Sequence, residues 1–253
     1  MPEADAGFSS VARKSFENRR KQGPHVNGFV ADADRIAAVY GRWAPIYDLM
    51  FGPVFRLGRN AAVDAAEKVG GRVLEVGVGT GLSLPSYSDA CRIHGVDISV
   101  PMLEKARRRV DRLGLSNIDA VEVMDAERLA YADDFFDVVV AQYVVTAVPN
   151  PERALDEFAR VVRPGGEIII TTRIGAERGM RGAIEKGLMP LTGRLGWRTE
   201  FPWSRYLGWA NGKPSIQLEE RRPLPPFGHF FLLRFVKVEA ATGPTLELVN
   251  EVD

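Results

Sequence analysis

Between Val73 and Gly81 the chain reads Val-Leu-Glu-Val-Gly-Val-Gly-Thr-Gly, an apolar run that passes directly into glycines at every second position. Gly77, Gly79 and Gly81 allow a tight turn and let backbone approach a ligand with no side chain in the way. The dinucleotide fingerprint G-x-G-x-x-G is not met, because its third glycine would fall on Leu82 counted from Gly77, or on Leu84 counted from Gly79. An acidic residue, Glu75, stands just ahead of the turn. Twenty residues past Gly77 a second apolar run closes on His94-Gly-Val-Asp97. A carboxylate there can accept both hydrogen bonds of a ribose diol. Turn and acid together predict a ligand that contains a nucleoside.

These residues need a sheet edge to stand on, and the pattern around them supplies one. Apolar runs at Arg72–Val76, Cys91–Val96, Ile118–Met124, Phe135–Ala141 and Glu167–Thr172 predict strands, with helices between them at Leu82–Ser88, Val100–Leu113 and Pro151–Val162. Ser99 reads as a helix N-cap, with Pro101 in the first turn. Strands of this kind alternating with amphipathic helices imply a parallel sheet covered on both faces. Ile216–Arg221 and Phe230–Val236 are joined by a Pro-rich loop too short for a crossover helix, so they are expected to pair antiparallel. The fold class is therefore α/β: a doubly wound, seven-stranded sheet with a C-terminal antiparallel hairpin, an N-terminal helical lid and a long insert after the fifth strand. The expected division is a flexible basic lead-in over residues 1–33, a helical lid over 34–69 and the main domain over 70–253, with the insert at 175–212.

Composition narrows the function. The 253 residues carry 33 basic and 33 acidic side chains, so no overall positive field points to nucleic acid. The lone cysteine, Cys91, excludes a disulfide framework and a cysteine-cluster metal site, and no His and carboxylate group has metal-ligand spacing; no metal is expected. The first residues lack the basic-then-apolar order of a signal peptide, and no apolar stretch is long enough to span a bilayer. A cytoplasmic protein is expected.

The Glu75–Gly81 turn resembles the first motif of class I, Rossmann-like methyltransferases that use S-adenosylmethionine. Asp97, the Met124-Asp125-Ala126 strand end and the turn Arg163-Pro-Gly-Gly before the fifth strand fall in the order that family shows. The resemblance implies S-adenosylmethionine as cofactor and S-adenosylhomocysteine as product. It implies a cofactor site made of Glu75, Gly77, Gly79, Gly81, Asp97, Ile98, Met102, Asp125, Ala126 and Gln142. Upstream, Tyr40-Gly-Arg-Trp-Ala-Pro-Ile-Tyr47-Asp48 resembles the lid of lipid and quinone methyltransferases. The segment Leu49–Arg59, Ala141–Pro149 and Pro-Pro-Phe-Gly-His229 are similar to bacterial phospholipid N-methyltransferases, which convert phosphatidylethanolamine to phosphatidylcholine.

N-methylation requires nitrogen, methyl carbon and sulfur held in line, and an amine that has lost its proton. Tyr40, Tyr47 and Tyr143 could supply hydroxyls and ring faces to the amine and its methylated cations. Arg173 is the candidate fork for the headgroup phosphate, with Trp43 and His229 also on the substrate side. His94, within a strand, reads as structural. In the insert, Met180, Ile184, Leu188, Leu191 and Leu195 lie at helical spacing among arginines and lysine, with Trp197, Trp203 and Trp209 nearby. Seven basic and three acidic residues from Arg173 to Arg205 give a local charge of +4. An apolar stripe beside cations predicts peripheral, reversible docking on an anionic membrane, here the inner face of the cytoplasmic membrane. The alternatives are a quinone C-methyltransferase, a small-amine methyltransferase, or an inert adaptor that binds cofactor and a membrane or partner.

Overall fold

The computed structural model describes residues 55–174, 201–225 and 230–239. The lid residues Tyr40, Trp43 and Tyr47, together with His229 and the apolar stripe of the insert, lie outside the described residues.

The first helix, α1, covers residues 55–69. Gly58, Ala62, Val63, Ala65 and Ala66 are its buried positions, a stripe at helical spacing made mostly of the smallest side chains, so the helix lies close on the sheet. The strands are β1 (Gly71–Val76), β2 (Cys91–Asp97), β3 (Ile118–Val123), β4 (Phe136–Gln142), β5 (Val162–Arg173), β6 (Ile216–Leu224) and β7 (Phe230–Lys237). Three more helices, α2 (Val100–Leu113), α3 (Pro151–Val161) and α4 (Trp203–Asn211), complete the described elements, beside a single 3-10 turn at Leu84–Ser86. The strand order is β3-β2-β1-β4-β5-β7-β6. β1 to β5 pair in parallel and β7 runs antiparallel between β5 and β6. The expected seven-stranded sheet and its antiparallel hairpin are both present.

Alternate residues of the central strands feed two cores. Leu74, Val76, Val139, Ala141, Ile168 and Ile170 face α3 and α4, while Val73, Val138, Val140 and Ile169 face α1 and Leu103 of α2. Strands buried on both faces explain the unbroken Val and Ile runs. The chain leaves β1 toward β2 on one side and toward β4 on the other, so the strand order reverses there and a crevice opens outside the carboxyl ends of β1 and β4.

Three expectations need correction. The helix over Leu82–Ser88 reduces to the short turn, because Pro85 removes a donor and the Ser83 hydroxyl is drawn to Glu75. Ser99 occupies the N-cap position of α2, but its hydroxyl makes no cap and is buried without a partner. Trp209 is not interfacial: it is 7% exposed, packs edge-on against Phe235 and donates from Nε1 to Asp156 at 2.9 Å.

Candidate active site

The glycine turn is stitched to β2. Gly77 and Val78 both donate backbone N–H groups to the Val96 carbonyl, at 2.8 and 3.0 Å. Gly79 has φ +56°, the left-handed region that glycine enters freely, and its N–H donates to Asp97 Oδ2 at 2.9 Å. A Cβ at Gly79 would meet only the Gly77 carbonyl oxygen, at 3.9 Å, and would otherwise project into open space. Asp97 Oδ1 accepts the Ser99 N–H at 2.8 Å. The carboxylate therefore ties the two turns together before any ligand is considered. The carboxylate still has lone-pair capacity for a further donor. Burial raises the Asp97 pKa, and the Ser99, Gly79 and Ile98 N–H groups oppose that rise.

A cleft opens at this point. Gly77, Gly79, Asp97, Ile98, Met102, Asp125, Ala126 and Gln142 line it together with Tyr143. Val76, Val96, Met124, Val144, Ala147 and Val148 supply further apolar wall. Asp97 at a glycine floor, with Asp125 also in the lining between apolar walls, fits the ribose and base of a nucleoside. Gly81 and Glu75 stand outside the lining. Glu75 lies behind the turn, 2% exposed, with Oε1 accepting from the Ser83 hydroxyl and from Gln142 Nε2 at 3.3 Å. Its Oε2 has no partner, and burial pushes its pKa up to about 7 against the pull of Ser83, Tyr87 and Arg59. This placement makes it a buttress of the turn rather than a wall of the cleft.

Tyr143 follows β4 directly and takes φ +60°, unusual for a non-glycine residue. Its N–H donates to the Thr171 carbonyl at 2.8 Å, and its ring packs on Phe55 of α1 (centroids 4.2 Å apart) and edge-on against Phe230 of β7 (5.7 Å). Burial pushes the phenol up to about 12, so near neutral pH it is a neutral hydroxyl that donates or accepts and is not a phenolate base. Arg173 closes β5 at the same edge of the sheet, in register with Phe230. His94 sits within β2 among the rings of Tyr131, Phe135 and Phe136, a packing position away from the cleft.

One cleft residue has no signature in the sequence. Glu127 is 3% exposed and accepts the Asn150 N–H at 2.7 Å and Asn150 Nδ2 at 3.0 Å. It thereby fastens the start of α3 to the loop after β3. Among the described residues no group of His, Cys, Asp and Glu is placed to hold a metal.

Sheet order, glycine turn and acid at the end of β2 define a class I S-adenosylmethionine-dependent methyltransferase. Residues 74–170 match the family model described as a methyltransferase domain. The fold is shared with the YcgJ protein from Bacillus subtilis (TM-score 0.61, 18% identity, 72% of this chain and 98% of that one). It is likewise shared with geranyl diphosphate methyltransferase (TM-score 0.61, 15% identity, 72% and 77%). In sequence, the chain is 41% identical over 204 residues to the phosphatidylethanolamine N-methyltransferase of Cereibacter sphaeroides, covering 81% of this chain and 98% of that protein. It is 36% identical over 144 residues to the demethylmenaquinone methyltransferase of Renibacterium salmoninarum, covering 54% and 58%. The chain belongs to the bacterial phosphatidylethanolamine N-methyltransferase family, and its cofactor is S-adenosylmethionine.

Proposed function

We propose that this enzyme transfers methyl groups from S-adenosylmethionine to the amine of phosphatidylethanolamine and of its mono- and dimethyl derivatives, giving phosphatidylcholine. The observation that carries the reading is similarity running nearly the full length of the Cereibacter relative, whereas the quinone relative is matched over little more than half its length. The cofactor supplies a methyl group already activated on a sulfonium sulfur. The chain's own task is to seat the nucleoside, exclude water and align the amine. Asp97 and Gly79 hold the ribose side, and Ile98, Met102 and Ala126 the base. A neutral Tyr143 hydroxyl at the cleft wall orients an uncharged amine by hydrogen bonding. Tyr40 and Tyr47 complete the acceptor side, with Arg173, Trp43 and His229 around the headgroup.

A diacyl lipid stays in its bilayer, so the enzyme must come to the surface. The cationic, apolar segment after β5 is the proposed docking element, which makes the protein peripheral to the inner face of the cytoplasmic membrane. No helix among the described residues is long and apolar enough to cross a membrane. Vesicles containing anionic lipid should therefore bind the protein more tightly than purely zwitterionic ones, and salt should weaken that binding. Equal binding to both would contradict surface docking. The substrate reading itself is tested by expression in a cell that makes phosphatidylethanolamine and no phosphatidylcholine. Methylated phosphatidylethanolamines in the lipid extract support it. Their absence, with a methylated quinone in their place, refutes it.

A further inference from the structure

The corner where α4, β6 and β7 meet is rich in cations, and nearly all of them are neutralised. Arg205 is held by both Glu152 oxygens, at 2.7 and 2.6 Å. Lys213 pairs with Asp156 at 3.0 Å, Arg222 with Glu220 at 2.7 Å, and Arg234 with Glu167 and Glu220 at 2.7 and 3.2 Å. Arg221 differs. It is exposed and has no carboxylate partner among the described residues. It is nonetheless held in place, with Cζ 4.3 Å from the ring centre of Trp203 and 4.9 Å from that of Phe231. Stacking on ring faces fixes a guanidinium while leaving its N–H donors uncommitted. A cation already immobilised, with its donors open, has lost side-chain freedom in advance of any ligand, which lowers the cost of binding an anion.

Its position matters as much. Phe231 pairs with Thr172 near the carboxyl end of β5 and with Pro223 on β6, so the stack stands toward the sheet edge that carries the cleft. Trp203 and Phe231 pack on the same core as Val144 and Val148, two residues of the cleft wall. Tryptophan and phenylalanine beside an arginine also form the mixed apolar and cationic surface that settles at a bilayer's headgroup level.

We infer that Arg221, clamped by Trp203 and Phe231, binds the phosphate diester of a phospholipid headgroup and so delivers the headgroup amine toward the cleft. This rests on the phospholipid reading above and adds to it an anion site distinct from Arg173. The test follows the Arg221 Nε–H resonance in the full-length protein, assigned by its loss in Arg221→Lys. Titration with dihexanoyl phosphatidylethanolamine below its micelle concentration should move this signal, and inorganic phosphate at equal concentration should move it much less. No movement with the lipid overturns the proposal. Equal movement with inorganic phosphate also overturns it, since the group is then a general anion site. In turnover, Arg221→Gln should raise KM for phosphatidylethanolamine about tenfold, equivalent to about 1.4 kcal/mol, and raise it by more than it lowers kcat. Arg221→Lys should fall between that variant and the parent, and S-adenosylhomocysteine affinity should be unchanged in both. An unaltered KM in Arg221→Gln refutes delivery. The resonance shift does not depend on turnover, so a failed substrate reading and a failed anion site give different results.

Discussion

The phenol of Tyr143 fills the space that a side chain at Gly58 would need. A methyl group built on Gly58 runs into the phenol oxygen, with Cζ 3.0 Å away and Leu224 Cδ1 at 3.7 Å. Glycine inside a helix costs about 0.8–1.0 kcal/mol relative to alanine, so its presence in α1 needs a reason, and the close approach of Tyr143 supplies one. Gly58→Ala should therefore destabilise by ~1–3 kcal/mol instead of stabilising. Tyr143→Phe removes the colliding oxygen. In urea unfolding the Gly58→Ala penalty should shrink in that background, with a coupling energy of at least ~0.5 kcal/mol. A stabilising Gly58→Ala, or additive effects, would show that the two residues do not share the space.

Glu75 should make stability depend on pH. Its folded pKa, about 7, lies above the ordinary 4.5 because burial opposes its charge. The folded state therefore holds this proton more tightly than the unfolded chain, and stability is lost as pH rises between those two values. A gap of this size corresponds to about 3 kcal/mol at most. Glu75→Gln keeps an acceptor for Ser83 and cannot ionise. Its melting temperature relative to the parent should climb from pH 5 to pH 8 and then level off. A difference that stays constant across that range would place the carboxylate in a better solvated setting.

Asp97 has a double role that Asp97→Ala should expose. Two backbone N–H groups lose their acceptor, at ~1–3 kcal/mol each if they stay buried. On the proposed reading the cleft loses its ribose acceptor as well. Both a lower unfolding free energy and at least tenfold weaker S-adenosylhomocysteine binding are expected by calorimetry. Retained affinity in a folded variant would remove Asp97 from the cofactor site.

The same reasoning applies across the cleft at Glu127. Replacing it with alanine strands the Asn150 N–H, now bonded at 2.7 Å, and frees the start of α3. A loss of ~1–3 kcal/mol in denaturant unfolding is expected. An unchanged midpoint would mean that water takes over the contact.

Local signals account for what could be read in advance. α2 begins and ends where expected because Pro101 marks its first turn and Gly114, at φ +61°, its end. The glycine turn and Asp97 were legible because their chemistry lies in contiguous backbone. The features that escaped are contacts between side chains far apart in sequence. Glu127 and Asn150 are 23 residues apart, and neither belongs to a periodic pattern. The Gly58 space and the stack on Arg221 depend on how α1 and α4 lie against the sheet, which spacing alone does not encode. Ser99 stands at the N-cap position its residue type predicts, but its hydroxyl is buried and makes no cap bond, a side-chain orientation that spacing does not encode.

The central claim is the transfer of a methyl group from S-adenosylmethionine to the amine of phosphatidylethanolamine, and purified protein can answer it. The protein would be mixed with methyl-labelled cofactor and vesicles containing phosphatidylethanolamine and a demethylated quinone, and the lipids would then be separated. The account predicts label in mono-, di- and trimethylated phosphatidylethanolamine, none in the quinone, and loss of labelling in Gly79→Val. Label confined to the quinone, or absent from the phospholipid while S-adenosylhomocysteine still binds, would contradict it.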